Sequence, residues 1–244
     1  MKFIHSKSFH TAGKALLAAF GMAVLTACGG GGGGGSDGAS EPVASSLSFP
    51  VRSAYAARVA AGSNDNFTLS GTCAGTATIV LSRPVAASFE GVPGYSQESS
   101  TTINTSNCTP ASSGASATNY YDANYMPTGA VISNVQYARF AAPPVQVPAT
   151  ARVGDSGDIV TFTLYSNATK STVTGRRVLS YSVGADTAAT SLLTLTTRSY
   201  DEQNRLLATE RSVYRLAGDG ALALLSIDVQ YSTTSNTRLL FTKV

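Results

Sequence analysis

Val160, Thr161, Phe162, Thr163 and Leu164 alternate one apolar residue with one hydroxyl residue. A period of two puts successive side chains on opposite faces of an extended chain, so one face meets a core and the other meets water. Leu179, Tyr181 and Val183 alternate in the same way with Ser180 and Ser182. Leu225, Ile227, Val229 and Tyr231 do so with Ser226, Asp228 and Gln230. One-sided alternation marks antiparallel strands, and the chain is predicted to be all-β.

Working outward from this stretch, strands are expected near 158–165, 174–184, 190–200, 205–216, 222–232 and 237–243. Turn-forming segments separate them: Ser166-Asn167, Gly184-Ala185-Asp186, Asp201 to Asn204, Gly218-Asp219-Gly220 and Thr234 to Asn236. Connections this short join hairpin neighbours, which predicts a six-strand C-terminal meander over 149–244, shaped as a sandwich or a half-barrel. Residues 47–142 read as a loop-rich β region. Its strands are expected at Phe67 to Thr72, Thr76 to Ser82, Ser99 to Asn104 and Ala130 to Phe140. Pro143, Pro144 and Pro148 connect the two segments, which form either two domains or one.

The first 27 residues read as a targeting segment. Lys2, Lys7 and Lys14 precede an apolar run from Ala15 to Leu25, too short to span a bilayer as a helix. The run ends in Leu25-Thr26-Ala27-Cys28, which resembles the lipobox of bacterial lipoproteins. That resemblance implies cleavage before Cys28 and acylation of its thiol, with two or three chains giving stable attachment. Gly29 to Gly35 and the polar residues after them make 28–46 a flexible tether. The absence of aspartate after the lipidated cysteine implies, within that family, the outer membrane, with the facing side undetermined. The other cysteines, Cys73 and Cys108, are expected to pair in an exported chain. On the chain-entropy model a loop of this length is stabilised by roughly 3.5 to 4 kcal/mol.

Loss of the three leader lysines takes the 17 basic residues to 14, equal to the 14 acidic ones. The mature chain is then formally neutral and carries no basic stripe for nucleic acid and no polybasic segment for anionic lipid. The membrane is its expected partner, through lipid, and any protein, glycan or lipophilic ligand is left unidentified by the sequence.

His5 and His10 are the only histidines, and both lie in the leader. Without histidine, Ser-His and Cys-His nucleophiles and imidazole metal sites are excluded. Gly154-Asp155-Ser156-Gly157 resembles the serine motif of trypsin-like proteases, but Asp158 replaces a further glycine and Ser156 has no base, so these residues read as a turn. Lys170 sits at an expected hairpin tip and Lys243 beside the chain end, neither placed as a desolvated base. The acid pairs Asp155/Asp158 and Asp201/Glu202 fall in turns, where a glycoside hydrolase would need two carboxylates facing across a cleft. No cofactor or metal site is expected. Tyr200 to Leu206 resembles the Tyr-Asp repeat of bacterial shell-forming proteins in one copy, which implies a hairpin. Asn119 to Tyr125 is the densest aromatic and polar cluster, making Tyr120, Tyr121 and Tyr125 candidate ligand contacts.

The reading is a non-catalytic envelope lipoprotein that binds or supports. Its alternatives are a carrier of a lipophilic ligand in a β half-barrel and a carboxylate-dependent glycoside hydrolase. Cys28→Ser should abolish incorporation of a palmitate analogue, checked by metabolic labelling and intact mass. Equal labelling of variant and wild type would remove the anchor.

Overall fold

The computed structural model describes residues 42–142, 147–232 and 237–244. Cys28, the leader and most of the tether lie outside them. The described residues form one helix, α1 (Val51–Ala61), and thirteen strands. The first seven are β1 (Ser63–Gly71), β2 (Gly75–Leu81), β3 (Val85–Phe89), β4 (Val92–Thr105), β5 (Ser112–Tyr121), β6 (Pro127–Ile132) and β7 (Gln136–Phe140). The rest are β8 (Ser156–Tyr165), β9 (Val173–Ala185), β10 (Thr190–Asp201), β11 (Leu206–Ala217), β12 (Leu222–Tyr231) and β13 (Arg238–Lys243). The fold is all-β and antiparallel, as the alternation predicts.

The six C-terminal strands fall within two residues of their expected bounds, and their meander makes up half of a closed barrel. The meander continues through β7, β6, β5 and β4 on one side and through β13 to β1 and β2 on the other. β2 then pairs with β4, from Gly75 opposite Thr105 to Leu81 opposite Ser99, closing a twelve-stranded barrel. Strands of both segments therefore share one sheet.

β3 stands outside this ring. The wall strand breaks at Ser82-Arg83-Pro84, where proline supplies no ladder donor. The chain leaves the barrel there, and Val85 to Phe89 pair with Val92 to Ser96 as a protruding hairpin. Its turn is Glu90-Gly91, with φ of 52° and 79°, the left-handed values a tight hairpin requires.

Inward residues are largely apolar and outward ones polar. On β1, Asp65, Phe67 and Leu69 are buried while Asn64, Asn66, Thr68 and Ser70 are exposed. On β4, Glu98, Ser100, Thr102 and Asn104 face out. A lipid-facing barrel wall shows the opposite pattern. Among the described residues no helix is long and apolar enough to cross a membrane.

Three sequence expectations need correction. Ala130 to Phe140 is a hairpin, turning at Asn134, which accepts a φ of 56°. Leu225 falls out of phase, because a bulge opposite Val213 and Tyr214 buries Leu224 instead. The residues 51–61, assigned no element from the sequence, form α1, whose Val51, Ala54 and Val59 are buried. The Cys73–Cys108 disulfide is formed, tying the β1–β2 turn to the β4–β5 loop at the barrel end opposite α1.

Val160, Phe162 and Leu164 are buried, and Thr161 and Thr163 half-exposed, as their alternation requires. Phe162→Ala should cost about 3 to 5 kcal/mol, and Thr163→Ala no more than about 1 kcal/mol. Denaturant midpoints of the two variants check this, and equal large losses would refute a one-sided wall.

Candidate functional site

Two concavities define the candidate sites, one inside the barrel and one on its flank. The barrel end that receives α1 is stoppered. Phe49 pairs with Ala151 just before α1, and Gly62 turns the chain directly from α1 into β1. Tyr55, Arg58 and Val59 of α1 reach inward beside residues of β2, β4, β5, β6 and β8 to β12. Only a lumen brings so many strands to one helix.

Gln97, fully buried on β4, organises the polar layer beneath α1. Its Nε2 donates to the carbonyl oxygens of Val59 (2.9 Å) and Ser82 (2.8 Å). Its Oε1 accepts from the Tyr121 hydroxyl at 3.2 Å. Tyr55, Tyr121 and Tyr214 lie close together here, and burial pushes each phenol up from its ordinary value. They stay neutral, as hydrogen-bonding rings.

The cavity they line is about 70 Å³, room for a few waters and well below the several hundred cubic ångströms of a small-molecule cavity. Arg58 and Arg177, both partly buried, line it, and Asp65 lies beside Arg58. Arg177 donates to Gln136 (2.9 Å) and Ser199 (3.4 Å), and desolvation pushes its guanidinium down to about 10. Asp65 binds Arg58 of α1 and Lys243 of β13, each at 2.5 Å. Burial alone raises the Asp65 carboxyl, but the hydrogen bonds from Lys243 and Arg58 outweigh it and hold it below the usual carboxylate range.

The second concavity lies under the β3–β4 hairpin. The Phe89 ring stacks on Tyr120 (4.5 Å, 26°) and Tyr137 (5.4 Å, 22°) on the outer wall. Gly129 makes room for it, since a Cβ there would lie 2.2 Å from the Phe89 ring. At the tip, Lys170 donates to both Glu90 oxygens (2.8 and 2.7 Å), and the Tyr137 hydroxyl donates to one of them. These hydrogen bonds hold the Glu90 carboxyl below its ordinary value. A cleft of about 300 Å³ remains between Phe89, Glu90, Val92 and Pro93 of the hairpin and the barrel rim at Tyr121, Asp122, Thr128, Arg139 and Phe140. The Thr128 hydroxyl is buried without a hydrogen-bond partner.

The candidate tyrosines are thus parted by strand alternation and a turn. Tyr120 lies outside under Phe89, Tyr121 points inward and walls both concavities, and Tyr125 stacks on Tyr95 at 4.7 Å in the β5–β6 turn. Lys170 is at a hairpin tip as expected, but serves Glu90. Glu90, Phe89 and Arg139 were missed, because a strand break rather than any motif brings them together.

Asp155 accepts from the Arg152 amide and Asp201 pairs with Arg205, each within its own turn. Of the two carboxylates that line the cleft, Glu90 is shifted away from what a proton donor requires, and Asp122 accepts two backbone amides of its own turn. Among the described residues no group of three or more His, Cys, Asp or Glu could hold a metal ion. Fold and cavities define a plugged twelve-stranded barrel with an external hairpin cleft. Comparison with protein-family models, curated proteins and solved structures finds no match for this chain.

The Asp65 cluster gives a pH signature. A depressed carboxyl stabilises fully above its unfolded value of roughly 4, and that stability is lost as pH falls through the lower folded value. Asp65→Asn should cost about 3 kcal/mol at pH 7, as a broken buried pair. The gap to wild type should narrow below about pH 4. Denaturant midpoints at pH 7 and 3 check this, and a constant gap would refute it.

Proposed function

We propose that this chain is a non-catalytic, lipid-anchored module of the outer membrane that works through the outside of a plugged barrel. The filled lumen carries this reading. With α1 in one end, the cavity beneath it is about 70 Å³, too small for lipophilic cargo. The polar outer wall supports a domain standing in water, and the lipobox-like Leu25 to Cys28 supplies its attachment. The tether gives it reach.

A carrier is the second reading, favoured by the closed barrel itself. It requires α1 to leave, breaking the Gln97–Val59 and Arg58–Asp65 contacts. Native mass spectrometry of the protein purified from envelopes decides. The expected mass is polypeptide plus anchor; a stoichiometric lipophilic passenger would overturn the filled-lumen reading.

A further inference from the structure

The cleft under the β3–β4 hairpin lies outside the closed ring. The hairpin is held by the Phe89 stack and the Glu90–Lys170 pair on its β3 side and by the close approach of Gly94 to the Tyr121–Asp122 backbone on its β4 side, with Val92 and Pro93 lining the cleft between. Both are exposed. Phe89, Val92, Pro93 and Phe140 give the cleft apolar walls, and its volume of about 300 Å³ matches the lower end of small-molecule sites.

Its polar groups are unequally occupied. Glu90 is already held by Lys170 and Tyr137. Oδ1 of Asp122 accepts from the amides of Asn124 (2.7 Å) and Met126 (2.9 Å). Arg139 differs. Its side chain is 42% exposed, and its contact with Glu90 is 3.9 Å, too long for a hydrogen bond. It presents a planar donor fork suited to a bidentate carboxylate. Two carboxylates line the same small cleft, so a dianion such as phosphate meets more repulsion than a monoanion. We propose that the hairpin cleft binds a compact monocarboxylate, its carboxylate on Arg139 and its apolar or aromatic body against Phe89, Val92, Pro93 and Phe140.

The probe is 4-phenylbutyrate, with 4-phenylbutan-1-ol as its uncharged counterpart, titrated by calorimetry and by amide NMR shifts. The full chain carrying Cys28→Ser is used, to avoid detergent. A ligand of this size in an open cleft should bind with Kd on the order of 0.1 to 1 mM. The alcohol should bind about tenfold more weakly, the scale of one charge-assisted contact. Arg139→Gln should bring the acid down to the alcohol's affinity and leave the alcohol unchanged, while Arg139→Lys keeps part of the preference. Thermal melting checks that the variants stay folded, as expected for a half-exposed side chain. Shifts should centre on Thr128, Arg139 and Phe140. Equal binding of acid and alcohol, equal binding by wild type and Arg139→Gln, shifts confined to lumen residues such as Leu195 and Thr197, or no binding would each overturn the proposal. Such a failure concerns this cleft alone, since the envelope reading stands or falls on lumen occupancy.

Discussion

A barrel of eight strands is filled by its own inward side chains, and one of sixteen or more keeps a channel of water. Twelve strands fall between, and a ring of that size whose inward residues are mostly apolar cannot stay empty. Helix α1 resolves the mismatch. It stoppers one end, seals the core with Val51, Ala54 and Val59, and sends Tyr55 and Arg58 into the space that the walls leave open. The N-terminal β region is therefore part of one closed structure, because the meander alone would have two raw edges and half a core.

Filling a lumen with a helix brings polar groups indoors, and each then needs a partner. Gln97 meets this need for the last turn of α1 and for the chain leaving β2. Asp65 meets it for Arg58 and, across the closing seam, for Lys243. Arg177 is held by Gln136 and Ser199 with Glu210 nearby, and desolvation still lowers its guanidinium. The interior is thus a packed core with a hydrogen-bonded belt beneath the stopper.

The C-terminal strands were legible because each alternates cleanly and ends in turn chemistry. The disulfide was legible by elimination among three cysteines. Barrel closure was not, since pairings such as Gly75 with Thr105 and Phe67 with Lys243 leave no mark on local periodicity. β5 was obscured because Ser112 to Ala117 are all small, with little contrast between faces. The hairpin cleft was hidden for a different reason. Glu90, Arg139 and Lys170 are scattered through the chain and meet only because Pro84 helps turn the chain out of the wall and Gly129 leaves a seat for Phe89.

The seam between the first and last strands also governs how the molecule is assembled. β13 lies between β12 and β1, and Lys243 reaches Asp65 across 178 residues of sequence. The ring closes only when β13 pairs with both neighbours, so a folding chain carries two open edges until then. Contacts of such long range are slow to form, because the entropy of closing the loop is lost before the pairing compensates it. The interval before closure is when this chain is most open to pairing with another copy of itself, and anything that shields β12 and β1 during that interval would act as a chaperone for the barrel.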